Sequence, residues 1–221
     1  MSLIQGLRKN ICSAATRAKG ALAVFTFRPG SFVALEGLDG TGKSTQLQAL
    51  RLLDAGKPAT AYLHMPSGVG DLTSQIYKLL EENTVMNPVA RQLLHLASHS
   101  ESRLTIHDAL KSSSVVLDRF WWSTVAYGLS DPQFGFGPDD AATVKLLIDS
   151  IWAGAAPSVV FLFTGVHDVD HRNRIEVMDA YAALAAAYSS TTVLVPDGDI
   201  ESTTEFLLAE LERRSLVEIA R

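Results

Sequence analysis

The sequence has one cysteine, Cys12, among its 221 residues. A single thiol can form neither an internal disulfide nor a zinc site built from cysteines, and this composition is typical of proteins from a reducing compartment. Long apolar segments are also missing, since runs such as 159–163 are far shorter than the roughly 20 residues that a membrane-spanning helix needs. The sequence therefore predicts a protein with no disulfide and no membrane span.

Acidic residues are missing from the first 35 positions, which hold five bases. The whole chain carries 24 acidic and 19 basic residues, so the remainder is distinctly acidic. An acidic body argues against a nucleic-acid groove, because such grooves depend on clustered Lys and Arg. We therefore expect no nucleic-acid partner and no membrane partner.

The basic segment 1–31 is predicted to be an extension of the folded domain. Its apolar residues recur at helical spacing, as in an organellar transit peptide, until Pro29-Gly30-Ser31 marks a break. A surface helix that packs on the domain is the plainer interpretation. We expect one domain over residues 32–221 in a cytoplasmic protein, or in a mitochondrial matrix protein if residues 1–28 are a transit peptide.

Apolar runs and helical patterns alternate along this domain. Strands are predicted at 32–35, 59–63, 115–117, 159–163 and 192–195. Helices are predicted at 43–54, 71–82, 88–111, 123–129, 139–151, 174–188 and 200–216. Such alternation predicts an α/β fold, with a mostly parallel five-stranded sheet covered by helices on both faces.

Residues 37–44, GLDGTGKS, match the phosphate-binding pattern G-x-x-x-x-G-K-[ST] between a strand and a helix. In such a P-loop the backbone N–H groups and the helix N-terminus point at phosphate oxygens. Lys43 would reach the terminal phosphates and the Ser44 hydroxyl would ligate Mg²⁺. The sequence thus predicts a P-loop NTPase fold that binds ATP and Mg²⁺. The predicted ATP-binding residues are Gly37, Asp39, Gly40, Thr41, Gly42, Lys43, Ser44 and Thr45.

A P-loop alone does not distinguish kinases, GTPases and motors. The sequence has no N-K-x-D or T-K-x-D element for reading guanine, and no D-x-x-G switch element outside the P-loop. Motors and helicases usually need more residues than one small domain supplies. A small kinase of nucleotides or nucleosides is the class that remains.

Asp118 and Arg119 directly follow the predicted strand at 115–117, within the segment VVLDRFWWSTVAY. Open parallel sheets bind their ligands at the carboxyl ends of the strands. Asp118 is suited to hold Mg²⁺, directly or through water, and Arg119 to bind a second phosphate group with its planar guanidinium. The alternative is an ion pair at a strand end with no role in binding.

Taken together, these motifs resemble the thymidylate kinase family. That family has a P-loop of the form EGLDGxGKST, a strand ending in DRY and a segment like SSxAYQG, matched here at 36–45, 118–120 and 123–128. Residues 173–176, NRIE, resemble the D-R-I-E at the end of the family's lid. The resemblance covers about residues 32–216. It implies phosphoryl transfer from ATP to a deoxynucleoside monophosphate, first of all dTMP, by a homodimer.

The resemblance also implies roles for single residues. Asp39 is expected near the sugar and phosphate of the acceptor, with Arg119 on that phosphate and Tyr127 in the acceptor site. Gly40 stands where one branch of the family has an arginine, whereas the other branch supplies this charge from its lid. A closing cation contributes about 10³- to 10⁵-fold in rate in related phosphoryl-transfer systems. The expected catalytic residues are Lys43, Asp39, Arg119 and the lid candidates Arg172 and Arg174.

Four positions depart from the family pattern. An arginine expected after the second strand falls on His64, and a glutamine expected after Ala-Tyr falls on Gly128. The Phe and Arg that contact thymine fall near His95 and His99, of which the first could stack on a base and the second could donate a hydrogen bond. We expect all three histidines to bind the acceptor, with relaxed or shifted base selection and a pH dependence near about 6 to 7.

Three alternatives stay open. Trp121, Ser123 and Thr124 resemble the mitochondrial UMP/CMP kinase branch of the same family. A deoxynucleoside kinase is the second alternative. Such an enzyme needs a general base, commonly a carboxylate after the second strand, and residues 64–67 hold no carboxylate. A nucleotide-binding module without turnover is the third alternative, because acceptor-side arginines are missing and the lid is short.

Overall fold

A parallel sheet of five strands forms the centre of the molecule. A computed structural model of the chain describes residues 23–56, 59–65, 69–83, 85–129, 138–165 and 173–220. The sheet comprises β2 (Phe32–Gly37), β3 (Ala61–His64), β4 (Val115–Asp118), β5 (Val159–Phe163) and β6 (Thr192–Val195). Their order is β3-β4-β2-β5-β6, and all four pairings are parallel. The predicted α/β fold and five-stranded sheet are confirmed.

Seven helices connect or follow these strands in the described residues. They are α1 (Lys43–Leu53), α2 (Asp71–Glu82), α3 (Pro88–Leu110), α4 (Trp121–Leu129), α5 (Pro138–Ile151), α6 (Ile175–Ala187) and α7 (Ile200–Arg213). The start of α3 is fixed by its sequence. The Asn87 side chain accepts hydrogen bonds from the N–H groups of Val89 and Ala90, and Pro88 occupies the first turn. One buried cluster packs α3 to α6 on one face of the sheet, and a second packs α1 and α7 on the other.

The three central strands bring the sequence motifs to one edge of the sheet. Every residue of β2, β4 and β5 is buried, as expected for parallel strands covered on both faces. In the register, Leu35 pairs with Asp118 and Gly37 pairs with Phe163. The P-loop, which follows β2, therefore lies beside the Asp118-Arg119 pair that ends β4.

The predicted closing helix is too long at its C-terminal end. Helix α7 ends at Arg213, whereas the sequence pattern predicts a helix up to residue 216. Ser215 adopts a left-handed backbone with φ of 58°, which ends the helical path. The chain then forms a short strand, β7 (Val217–Ile219).

The sequence pattern also misses the partner of β7, the strand β1 (Phe25–Phe27), with which it pairs antiparallel. Phe25 and Phe27 are almost fully buried in the cluster under α1 and α7. The folded unit therefore extends before the predicted boundary at Phe32. The predicted helix in the N-terminal extension lies outside the described residues. None of the helices in the described ranges combines the length and the apolar character that crossing a bilayer requires.

Candidate active site

Two cavities open at the carboxyl edge of the sheet, and Asp39 and Arg119 line both of them. The P-loop cavity, of about 560 Å³, is bounded by the P-loop and by the segments that follow β5 and β6. The α3–α4 cavity, of about 310 Å³, lies between α3, α4 and the end of β3. Because the two cavities share a boundary, ligands bound in them would meet at Asp39 and Arg119.

The P-loop leaves β2 through a position that only glycine can occupy. Gly37 has φ of 129°, and a Cβ there would lie 1.9 Å from the carbonyl oxygen of Phe163 on the neighbouring strand. The loop then leads to Gly42, the N-cap of α1, which provides no side-chain cap, and the first turn of α1 holds no acid. The first N–H groups of α1 are therefore available to an anion at the P-loop cavity. Gly40, Thr41, Ser44 and Thr45 also line this cavity.

Lys43 lies at the base of the P-loop with only 5% of its surface exposed. Its ammonium group donates hydrogen bonds to the Leu38 carbonyl oxygen and, over 3.2 Å, to the Thr41 hydroxyl. Burial lowers the pKa of Lys43 to about 8, although the carboxyl groups of Asp118 and Glu36 act in the opposite direction. The side chain is thus held inside the loop, where a phosphate chain would pass.

Ser44 and Asp118 form a candidate magnesium site. The Ser44 hydroxyl donates to Asp118 Oδ2 over 2.5 Å, and His64 Nδ1 lies 3.3 Å from the same oxygen. Burial alone would raise the pKa of Asp118, but the hydrogen bonds from His64 and Ser44 bring it below its usual value. Its second oxygen, Oδ1, is buried and has no hydrogen-bond partner among the described residues.

This donor set fits Mg²⁺, which is commonly bound through one or two carboxylates together with substrate phosphates. The Oδ1 atom of Asp118 and the adjacent Ser44 hydroxyl are oxygen ligands of the preferred kind. In the described ranges no group of three or more His, Cys, Asp or Glu side chains could hold an ion by itself. A metal ion here would therefore depend on the phosphates for its remaining ligands.

Arg119 and Asp39 form an ion pair at the boundary between the cavities. Arg119 has a left-handed backbone, with φ of 71°, which is uncommon for a residue with a Cβ. Strained backbone of this kind tends to cluster at active sites. Its Nη1 atom donates to the Ser123 hydroxyl over 2.9 Å, and its guanidinium lies 5.6 Å from the ring centre of Tyr127. The guanidinium is therefore held by α4 on one side and by the P-loop on the other.

Glu36, which sequence reasoning did not single out, supports Arg119 through Ser123, whose hydroxyl contacts both side chains. Its buried carboxyl group accepts hydrogen bonds from the N–H groups of Phe120 and Ser123, and from the Ser123 hydroxyl over 2.5 Å. Burial raises the pKa of Glu36, while these hydrogen bonds and Arg119 act against the increase. The group fixes the start of α4. The sequence feature that could have identified Glu36 is an acidic residue inside an otherwise apolar strand.

The α3–α4 cavity contains all three predicted histidines. His99 is buried, with Nε2 2.9 Å from the Thr124 hydroxyl and its ring 5.9 Å from that of Trp152. Burial lowers the pKa of His95 to about 4 and that of His99 to about 3. Both imidazoles are therefore neutral near pH 6 to 7, and the predicted pH dependence is wrong for these two residues.

Gln92 is a further residue of this cavity that the sequence did not reveal. It is 1% exposed, and its Nε2 atom donates to the backbone carbonyl oxygen of Thr124 over 3.1 Å. Because that carbonyl can only accept, the amide nitrogen must face it. The amide oxygen points the other way and has no hydrogen-bond partner in the part of the chain that the structure describes.

The predicted lid residues are only partly placed. Arg172 lies outside the described residues, and Arg174 is the N-cap residue of α6. Arg174 does not belong to the described lining of either cavity. The residue before it, Asn173, contacts Asp39 directly. Tyr127, which the resemblance places in the acceptor site, lines the α3–α4 cavity.

Comparison with known proteins agrees with this geometry. The family model described as "Thymidylate kinase" matches residues 35–190. The thymidylate kinase of Leifsonia xyli subsp. xyli is 37% identical over 148 residues, which are 64% of this chain and 66% of that protein. That of Prosthecochloris aestuarii is 38% identical over 99 residues, which are 43% of this chain and 44% of that protein. The chain thus spans about half to two thirds of the length of these relatives.

Solved structures support the fold. A crystal structure of thymidylate kinase from Ehrlichia chaffeensis superposes with a TM-score of 0.66 at 24% identity, over 82% of this chain and 98% of that one. The thymidylate kinase of Candida albicans gives a TM-score of 0.65 at 20% identity, over 87% and 97% of the two chains. Since the family model covers well over half of the sequence, the chain belongs to the thymidylate kinase family.

Proposed function

We propose that this chain transfers the terminal phosphoryl group of ATP to dTMP, giving ADP and dTDP. The observation that carries the proposal is the shared boundary of the two cavities, where Asp39 and Arg119 face both a P-loop and a second site. Membership in the thymidylate kinase family supports the choice of acceptor.

On the donor side, the P-loop N–H groups would bind the phosphate oxygens of ATP and Lys43 would neutralise part of their charge. Ser44 and Asp118 would hold Mg²⁺. When bound, the ion would supply a positive charge that offsets the negative charge developing on the terminal phosphates. Lys43 is already fixed by its contacts with the loop, so little reorganisation is needed during transfer.

On the acceptor side, an oxygen of the acceptor phosphate would attack the terminal phosphorus of ATP while the bond from that phosphorus to the bridging oxygen breaks. The displaced oxygen leaves as part of ADP. Arg119, at the boundary, can bind the acceptor phosphate with its planar guanidinium and keep the two anions in line. The acceptor oxygen is already ionised, so the transfer needs positioning and charge neutralisation more than a general base.

Charge in the α3–α4 cavity favours a monophosphate over a free nucleoside. Among the described residues that line it, Asp39 is the one acidic side chain, and it is paired with Arg119. Arg91 adds a second positive charge to the same lining. A nucleoside kinase needs a carboxylate that can accept the proton of a hydroxyl group, whereas this lining suits an anion.

Family membership also supports a homodimer, which we include in the proposal. Val89, Leu93 and Leu104 are exposed on α3, and Leu146 and Leu147 are exposed on α5. Contact between two copies would remove this apolar surface from water. Sedimentation analysis would show a dimer, and a charged substitution at Leu104 would shift it toward the monomer.

A coupled ADP-release assay tests the proposed reaction. ATP and Mg²⁺ are supplied with dTMP, dUMP, UMP, CMP, dCMP and thymidine in separate reactions, and dTMP is expected to give the highest kcat/KM. Turnover with thymidine and none with dTMP would support the nucleoside kinase alternative. Binding of ATP without turnover of any acceptor would indicate a nucleotide-binding module, and either outcome would refute the proposal.

A further inference from the structure

Asn173 makes an unusual contact with the P-loop. Its side-chain Nδ2 donates to the backbone carbonyl oxygen of Asp39 over 2.7 Å, and its Oδ1 accepts from the backbone N–H of Asp39 over 3.0 Å. One carboxamide thus satisfies both backbone groups of a single residue. The two residues are 134 positions apart, and Asn173 lies just before α6.

Tyr127 completes the contact from α4. Its hydroxyl accepts from the Asp39 N–H over 2.8 Å and donates to Asn173 Oδ1 over 3.0 Å. Three segments that are distant in the sequence therefore meet on the backbone of one P-loop residue. That residue is the one whose carboxylate is paired with Arg119 at the boundary between the cavities.

We propose that Asn173 is a positioning residue, whose amide fixes the backbone of Asp39 and thereby the orientation of the Asp39–Arg119 pair toward the acceptor. The inference rests on the proposed function, because the orientation of this pair matters for transfer to an anionic acceptor. The contact requires one donor and one acceptor on the same side chain. An amide provides both at every pH, whereas an ionised carboxylate, such as that of the aspartate in the family's D-R-I-E pattern, can only accept. The contact is therefore specific to the asparagine of this chain.

Asn173→Asp tests this requirement with a nearly isosteric change. At about pH 8 the new carboxylate would face the Asp39 carbonyl oxygen without a proton to donate, and we expect the kcat/KM for dTMP to fall about tenfold. The KM for ATP should stay within about twofold, because the contacts of Lys43 and Ser44 are unchanged. Asn173→Ala removes both hydrogen bonds and should show a similar loss.

Lowering the pH separates positioning from a general structural role. At about pH 5.5 a growing fraction of the carboxyl groups in the Asn173→Asp variant would be protonated and could again donate to Asp39, so activity relative to wild type should recover. Among the described residues, the titratable and charged groups that contact this site or flank it are Asp39 with its partner Arg119, Tyr127, Arg174 and Glu176. They are common to all variants, so comparison with wild type at each pH removes their contribution. Asn173→Ala should show no such recovery.

Asn87→Asp is the matched control, since the side-chain oxygen of this exposed asparagine accepts hydrogen bonds from Val89 and Ala90. A carboxylate can accept equally well there, so wild-type kinetics are expected at both pH values. An Asn173→Asp enzyme with wild-type kcat/KM for dTMP at about pH 8, or with a loss that does not shrink at about pH 5.5, would overturn the proposal.

Thermal unfolding distinguishes failure of this inference from failure of the proposed function. If the wild-type protein phosphorylates no acceptor, the proposed function fails, but the contact can still be measured. Asn173→Asp should then unfold at a lower temperature than wild type, and the difference should narrow as the pH falls. The folded state would favour the protonated carboxyl group, so its destabilising effect is largest at high pH. No difference at any pH would refute the contact itself.

Discussion

The amide oxygen of Gln92 occupies the space in which a side chain on Gly128 would begin. A Cβ built at position 128 would lie 2.3 Å from that oxygen and 2.8 Å from the amide carbon. The family pattern places a glutamine after Ala-Tyr, and here that position is Gly128. In this chain an amide from α3 therefore fills the volume that α4 leaves open.

Gly128→Ala is expected to push the Gln92 amide away from the Thr124 carbonyl oxygen. Loss of this buried hydrogen bond costs about 1 to 3 kcal/mol, which the better helix propensity of alanine offsets in part. Gln92→Ala in the same chain removes the overlapping atoms, so the double variant should recover part of this loss. Urea unfolding of the two single variants and the double variant gives the coupling free energy between the positions. Strictly additive effects would show that the two residues do not compete for space.

Lys43→Ala is expected to lower kcat by at least about 100-fold while the protein stays folded. The loss follows from removing the only lysine that lines the described P-loop cavity. Lys111→Ala is the matched control, because that side chain is 63% exposed and pairs with the nearby Asp108. Coupled kinetics and circular dichroism are the measurements. Near wild-type turnover in the Lys43 variant would exclude a phosphate-binding role for the loop.

Arg119→Ala should weaken use of the acceptor far more than use of ATP. Losing a planar guanidinium from a partly dehydrated phosphate site costs on the order of 2 to 5 kcal/mol, and the KM for dTMP or kcat should change accordingly. Arg103→Ala removes a partly exposed arginine that donates to the backbone carbonyl of Ala153, outside both cavities, and it should have no kinetic effect. Small and equal changes for both substrates would contradict the assignment.

Stability should decrease when the pH is lowered from about 7.5 to about 5. The pKa values of His95 and His99 are about 4 and 3 in the folded protein, below the usual value of about 6.5 for an unfolded chain. The unfolded state therefore binds more protons than the folded state in this interval. The free energy of unfolding falls by at most about 2 kcal/mol per imidazole as a result. His99→Leu should make the dependence of the unfolding free energy on pH less steep. An unchanged slope would show that His99 titrates normally in the folded state.

Features that are local in the sequence could be predicted from it. The P-loop and the Asp118-Arg119 pair each lie within a few residues, next to strands whose apolar runs identify them. Parallel register then brings these two motifs together without further information. Ser44 and Asp118, each predicted as a magnesium ligand, accordingly lie within hydrogen-bond distance of each other.

Contacts between distant segments could not be predicted in the same way. No periodicity links Asn173 to Asp39, or Gln92 to Thr124, since each pair is brought together only by the packing of α3, α4 and α6. The histidines show the same limit, because their ionisation depends on burial between helices and not on their spacing. A three-residue strand such as β1 carries too short a pattern to be recognised.

The pairing of β1 with β7 also has a consequence for protein engineering. The Ala220 N–H donates to the Val24 carbonyl oxygen over 2.8 Å, so the two ends of the described fold are adjacent. Both strands adjoin the amino end of β2, at the edge of the sheet opposite the cavities. A short linker between these ends would close the backbone into a ring, which could be reopened at a surface loop to give a circular permutant. Labels or fusion partners placed there would lie far from both substrates.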